Sequence, residues 1–567
     1  MSSVDPITLA IVWHRLESIT REIGAAMAAT ARSPIFAEAH DFSCFLTDAD
    51  GVVVTQADGL PIHTGCGGTA VRAILARFGD AVRPGDVFLV NDPYVGGGNH
   101  LPDAVIARPV FGPAAGGEPR RLFFACNRAH QTDIGGGAPG TYNPRATEIF
   151  QEGLRIPPVR VGDDVLDLVA LNTRQPDVLR ADLAAMVGST AIGARRLETL
   201  IDQLGPDDTA AYVSALLDWS ERRMRAELRR IPDGVYQGED AMNNDCRTER
   251  EVVVRATVRA HGGEVEVDFA GTDDQIGAYK NSSYANTLSS VYLALALLVD
   301  PTIPHNEGAY RPIRVTAPLG TVVNPRPPAP VGSCTVHPAI EIMHAVWKAL
   351  APGMPEQASA GWGKEVRPIT TSGPADAPRV VYHSLTAPGA GAVKGRDGFD
   401  SLASLVNLGG SYAPSVERWE RQYPIRIRRH ELRPDAAGAG QWRGGTGQIY
   451  EVELLEDAIC SVRAEGVRTP SGFGAAGGGD GAPGRAGATL PGRTERDLPQ
   501  NDVVELPAGT VIHIESPGGG GWGDPRRRDR SRVEADVRDD VLSARRAREL
   551  YGVHRAPPGS VRARRVP

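Results

Sequence analysis

Apolar residues recur at near-helical spacing at the start of the chain. Ile7, Ile11, Leu16, Ile19 and Ile23 fall in DPITLAIVWHRLESITREIGAAMAATA, with Asp5 placed as an N-cap and Pro6 at the first helical position. The pattern predicts an amphipathic helix packed on the body. It then switches to β in FSCFLTDADGVVVTQA, where two short apolar runs flank Asp50-Gly51, a hairpin signal. A helix from about Val71 leads to a strand in DVFLVNDPY. The runs DAVIARPVF and RLFFACNRAH read as a strand pair joined by a loop-like linker, GPAAGGEPR. Residues 177–230 read as helical, with Leu183, Met186, Val187, Leu197, Leu200 and Ile201 on one apolar face and RRMRAELRR continuing it. From Gly234 the period returns to two, and EREVVVRATVRAHGGEVEVDFAGT alternates around a Gly-Gly turn. TLSSVYLALALLV reads as a buried helix. Short strands punctuated by proline and glycine are expected up to about residue 520, and a charged helix, RVEADVRDDVLSARRARELYG, closes the pattern.

The elements predict a mixed α+β protein of several β-rich units with helical segments. The expected regions are 1–176, an N-terminal α/β region; 177–232, a helical segment; 233–435, a central α+β region; 436–525, a β-rich region; and 526–567, a helix and tail. At roughly 100–200 residues per domain, 567 residues accommodate that many units. The 65 glycines and 44 prolines exceed the usual shares of about 7% and 5% and point to many turns and loops. Gly472–Gly487, GFGAAGGGDGAPGRAG, is expected to be a mobile surface loop.

A net charge of −8 and a pI near 6.0 exclude a broad basic footprint for nucleic acid. The six cysteines are scattered, with no CxxC pair, which argues against a disulfide framework or a zinc ribbon. They suit a reducing cytoplasm. No basic segment followed by an apolar run marks a signal peptide, and Val291–Val299 is too short to span a bilayer.

The chemistry concentrates in NDPYVGGGNHLPD, Asn91 to Asp103. Pro102 stiffens the spacing between His100 and Asp103. AHQTDIGGG repeats that spacing with His130 and Asp133, again beside glycines. Upstream, EAHDFS supplies Glu38, His40 and Asp41, and PIHTG supplies His63. Imidazole and carboxylate together suit zinc, manganese or iron, and a site of two of each leaves a position for water. The competing reading has Asp92 capping a turn and both histidines as ordinary hydrogen-bonded loop residues. Cys66, in a glycine loop near His63, is a candidate thiol nucleophile. Glu417 and Glu420, a helical turn apart, suit salt bridging. Asn306 and Arg311 suit either a substrate carboxylate or a structural ion pair.

These stretches, in order with EIFQEGLRIPP, DFAGTDDQIG, PHNEGAYRPI, PSVERWERQYPIRI, RGGTG and SPGGGGWGDP, resemble the signatures of the hydantoinase B/oxoprolinase family from about Pro6 to Val553. The resemblance implies the metal-bearing B subunit of an ATP-dependent hydrolase that opens hydantoin, 5-oxoproline or lactam rings. It implies a partner A subunit, an actin-like ATPase that holds ATP and Mg. The absence of a GxxxxGK[ST] loop agrees with that. The implied ligands of a divalent metal (Zn, Mn or Fe) are Asp41, His100, Asp103 and His130, with Asp92 and Asp133 orienting histidines. Asp133 and Glu148 are the candidate catalytic groups, and Glu152 is a further acid facing the site. Relatives commonly carry two adjacent histidines where this chain has His130-Gln131. Two alternatives stay open: the metal subunit of an acetone-type carboxylase, and a non-catalytic scaffold for the A subunit. Carboxylase relatives tend to be longer and to have a third small subunit, which favours the amide hydrolase.

Overall fold

The computed structural model describes residues 4–56, 59–113, 119–374, 378–402, 404–407 and 415–553. The chain is mixed α+β, and the described residues form four sheets of six, four, four and five strands. The first sheet positions the site. Its strands are β1 (Phe42–Asp48), β2 (Val53–Gln56), β3 (Phe88–Val90), β4 (Asp103–Gly112), β5 (Arg120–His130) and β6 (Val159–Arg160), in spatial order β2-β1-β5-β4-β3-β6, all antiparallel.

The expected hairpin at Asp50-Gly51 and the β4/β5 pair are both present, with Gly51 at φ +82. Residues 114–118 of the β4/β5 linker lie outside the described part. Both faces of this sheet are buried, which is why its strands read as nearly continuous apolar runs. Cys44, Leu46, Ile106 and Ala125 face the helices Pro6–Thr30 and Pro176–Leu204; Phe45, Val105, Phe124 and Cys126 face Gly67–Phe78.

The N-terminal helix is capped by Asp5, as expected, but its buried stripe is Val12, Leu16, Ile19, Ile23 and Met27. Ile7 and Ile11 are 72% and 52% exposed. At about 100° per residue, Ile11 projects a quarter-turn away from Val12 and misses the sheet. Residues 177–230 are two helices, Pro176–Leu204 and Pro206–Leu228, broken where Gly205 adopts φ +84 ahead of Pro206.

The second sheet pairs Val252–His261 with Gly234–Met242 and, across the Gly-Gly turn, with Glu264–Asp268. One buried helix, Ala339–Leu350, covers it, and a second, Tyr284–Ala296, packs on the first. Tyr284–Ala296 matches the expected one. Ala339–Leu350 lies where only short strands are expected: Glu341, His344 and Lys348 recur at helical spacing, and that polar face meets Asp240 and Lys364 inside the protein rather than solvent. Gly238 lets this helix approach the sheet, since a Cβ there would lie 2.3 Å from the Ala345 carbonyl oxygen. The charged closing segment is two helices, Arg530–Arg538 and Ala544–Tyr551.

The third sheet joins Val366–Ser372 and Arg379–Tyr382 to Ala458–Ala464 and Asp502–Leu506. The boundary expected at 435/436 therefore runs between strands of one sheet. The glycine-rich segments form a packed layer rather than a mobile loop. Gly519 donates its amide to Gly445, Gly520 to Gly361, Gly521 to Gly479, and Gly438 to Gly519. A Cβ at Gly518, Gly519 or Gly520 would lie 1.8, 2.0 or 1.9 Å from a neighbouring carbonyl oxygen. These backbones can pack so closely because the side chains are missing.

Candidate metal centre and adjoining cavity

Strand register assembles the site. Asp103 opens β4, His130 closes β5, and the two are direct partners across the pair. Phe42 pairs with Ala129 on the next strand over, so Asp41 lies at the same end, and its carbonyl accepts the His130 amide at 3.1 Å. Three adjacent strands thus present Asp41, His130 and Asp103 at one edge. His100 is brought alongside by the tight turn in which the Asp103 amide donates to the His100 carbonyl at 3.2 Å.

That turn is anchored by Asn91, which is 1% exposed. Its Nδ2 donates to the carbonyls of Leu101 (2.8 Å) and Leu154 (3.0 Å), and its Oδ1 accepts the Ile156 amide at 2.7 Å. Every hydrogen-bonding direction of that buried amide but one is used.

Asp103 is the hub. Its Oδ1 lies 2.9 Å from His100 Nε2 and 3.1 Å from His130 Nδ1, and its Oδ2 lies 3.3 Å from His63 Nε2. Ligating atoms of His100, Asp103 and His130 all fall within 4.8 Å of one another. Burial acts to raise the Asp103 pKa, but His100, His130 and His63 outweigh it and hold the carboxyl well below the usual range. For His100, burial favours the neutral ring, yet Asp103 prevails and the pKa rises.

The donor set fits a divalent cation. His100 Nδ1 donates to the Gly332 carbonyl at 2.7 Å, which leaves Nε2 as the ligating atom and fixes the ring. With Nε2 also facing a carboxylate, the ring must carry either a second proton or a metal. Two buried polar atoms of the cluster, Asp41 Oδ1 and His130 Nε2, have no hydrogen-bond partner. Burial raises the Asp41 carboxyl against the pull of His130.

The Gly332 carbonyl is itself held. Glu152 accepts the Val331 amide at 2.9 Å and the Gly332 amide at 2.7 Å. Burial pushes this carboxyl up to about 8 against those two bonds. A Cβ at Gly332 would lie 2.7 Å from Glu152 Oε1, so glycine suits that position. Glu152 therefore lies behind the His100 support rather than facing a substrate.

The remaining candidates lie elsewhere. Asp133 touches no histidine: it accepts the amides of Gly135 and Arg174 and pairs with the Arg174 guanidinium at 3.1 Å. Asp92 accepts the amides of Tyr94 and Val95 and pairs with Arg155 at 2.8 Å, the turn-capping role. Glu148 is half-buried and caps the short helix Ile149–Gln151. Burial raises the Cys66 thiol, whose Sγ contacts Asn99 and Ser289, so it is kept protonated. Asn306 caps a helix, and Arg311 pairs with Asp218 and Glu221. Glu420 accepts the Ile427 amide.

Asp41 and His130 form one wall of a cavity of about 160 Å³. Tyr142 stacks on His130 with ring centroids 5.7 Å apart, and Tyr382 meets both rings edge-on. Ile35, Leu385 and Trp419 contribute apolar wall, Ser384, Asn407 and Gln448 contribute polar groups, and Arg367 and Arg463 bring charge. No local spacing links Tyr142, Arg367 or Arg463 to the histidine motifs; the third sheet brings the two arginines.

Buried His100, Asp103 and His130, with half-buried Asp41 beside them, thus stand next to a small mixed cavity. The chain belongs to the hydantoinase B/oxoprolinase family, whose profile matches residues 5–525. It is 36% identical to the caprolactamase subunit beta of Pseudomonas jessenii over 98% of this chain and 97% of that one. The crystal structure of the ATP-dependent caprolactamase from Pseudomonas jessenii superposes with a TM-score of 0.90 at 35% identity, covering 98% of each chain. The nucleotide-free structure of acetone carboxylase shares the fold, with a TM-score of 0.86 at 20% identity over 97% of this chain and 80% of that one.

Proposed function

We propose that this protein is the metal-bearing B-type subunit of an ATP-dependent hydrolase that opens a cyclic amide, a hydantoin, 5-oxoproline or lactam ring. The observation that carries this reading is the His100, Asp103 and His130 cluster, joined to a cavity through His130 and the neighbouring Asp41, in a chain similar end to end to a caprolactamase beta subunit. Those four side chains would hold a divalent Zn, Mn or Fe ion. The ion supplies Lewis acidity to a carbonyl or water at the cavity wall.

The chain's own groups supply position and environment. The Asp41 carboxylate and the free His130 Nε2 face the reacting group, His63 and His100 fix Asp103, and the apolar wall of Ile35, Leu385 and Trp419 receives the ring methylenes. A ring amide is resonance-stabilised and resists water, so coupling to ATP makes chemical sense. An actin-like A subunit is the partner that would hold ATP and Mg. A beta-subunit relative of a multi-subunit enzyme supports a hetero-oligomer. Six unpaired cysteines suit the cytoplasm, and among the described residues no helix is long and apolar enough to cross a membrane.

The test is co-expression with a candidate actin-like ATPase subunit, then mass-spectrometric assay of hydantoin, 5-oxoproline and lactam ring opening with and without ATP. ATP-dependent ring opening that Asp103→Asn abolishes supports the reading. Carboxylation of acetone with bicarbonate, without ring opening, would assign the chain to the carboxylases. ATPase-partner turnover unaffected by Asp103→Asn would make it a scaffold.

A further inference from the structure

We propose that Arg463 and Arg367 form an anion subsite in the cavity beside Asp41 and His130, which takes an oxyanion of the reacting molecule. That oxyanion is either the carboxylate released on ring opening or a phosphoryl group on the activated amide. The inference rests on the functional reading above for the identity of the ligand, but not for the existence of the subsite.

Arg463 is 3% exposed and has two donors, Nε and Nη1, with no partner. Its guanidinium carbon lies 3.9 Å over the Tyr142 ring, and Tyr142 stacks on His130, so the cation sits one aromatic ring away from the candidate ligands. Arg367 lines the same cavity, and its buried Nε is also unpartnered. Both guanidiniums share one carboxylate: Glu365 lies 2.7 Å from Arg367 and 3.3 Å from Arg463. Glu38, another carboxylate lining the cavity, is engaged by Arg418 at 3.1 Å.

Arg463 and the partly buried Arg367 together carry one more positive charge than the Glu365 they share, and Asp41, the remaining carboxylate on the wall, faces the His130, His63 and His100 rings instead. Each unsatisfied buried donor is destabilising, more so where the group is charged. Packing alone would be met as well by a neutral side chain. Arginine, with its weakly hydrated planar cation, matches carboxylate and phosphate oxygens. An oxyanion in the cavity would satisfy the free donors and neutralise the excess charge together.

The experiment is calorimetric titration of the full chain with hexanoate, with inorganic phosphate and with a neutral lactam at constant ionic strength. It is run on the wild type, Arg463→Gln, Arg463→Lys and Arg367→Gln, each with its metal content and melting curve recorded. The expected result is binding of at least one anion, weakened about tenfold or more in both glutamine variants, with metal content unchanged. Hexanoate assigns the subsite to the carboxylate and phosphate assigns it to the phosphoryl group. If Arg463→Gln does not fold, the more exposed Arg367→Gln carries the comparison. Failure of both anions to bind the wild type, or equal binding by the variants, would overturn the subsite. Loss of metal or of ATP-dependent ring opening with anion binding intact would count against the functional reading alone.

Discussion

Asn91→Ala removes the one side chain that ties three separate backbone segments beneath the His100–Asp103 turn. The asparagine makes three hydrogen bonds of 2.7–3.0 Å, and its partners Leu101 O, Leu154 O and Ile156 N are left facing a small cavity. At about 1 kcal/mol net per bond, the loss is about 3 kcal/mol before any cost of the void. For a cooperative unit of about 150–250 residues this lowers the melting temperature by roughly 6–12 °C. The turn also sets where His100 and Asp103 point, so the affinity for a divalent cation should fall about 10–100-fold, the usual consequence of losing a support behind a ligand. Differential scanning fluorimetry and chelator competition measure the two effects on one preparation. A melting temperature within 1–2 °C of wild type, with undiminished metal affinity, would refute the anchoring role.

Two further outcomes follow from the same geometry. Asp133→Asn should lower stability by about 2 kcal/mol through its contact with Arg174 while metal content, read by mass spectrometry, stays at the wild-type level; loss of metal would restore Asp133 to the centre. Burial would raise the Glu341 carboxyl, but Lys364 at 3.0 Å and His337 bring it down to about 2 from 4.5. A depressed carboxylate contributes stability that is present above pH 4.5 and lost as pH falls toward 2, so the melting temperature should drop through that window and Glu341→Gln should flatten the drop; an unchanged slope in the variant would contradict the ion pair.

The histidine and carboxylate motifs are legible because each lies within a few residues of a strand end, and pairing of β4 with β5 follows from two neighbouring, nearly continuous apolar runs joined by a loop-like linker. The assignment of Asp41 came from family resemblance, and the register explains it: one residue before β1, it falls beside His130. The role of Asp133 was not legible, since the same HxxD spacing that makes Asp103 a hub turns Asp133 away to Arg174 once β5 has ended. Arg463 and Arg367 could not be found by spacing, because they arrive on strands of another sheet. The helix Ala339–Leu350 does carry Glu341, His344 and Lys348 at helical spacing, but the prolines and glycines on both sides of it draw the reading toward short strands. The glycine excess predicts loops, yet much of it builds a layer whose backbones touch, and composition does not distinguish the two.

The claim on which the account turns is that this edge holds a metal. Metal content by inductively coupled plasma mass spectrometry, on chain purified without a tag or chelator and set beside His100→Ala, tests it most directly. The account predicts about one Zn, Mn or Fe per chain, falling to background in the variant. A wild-type chain that stays metal-free after reconstitution, or a variant that keeps its metal, would contradict it.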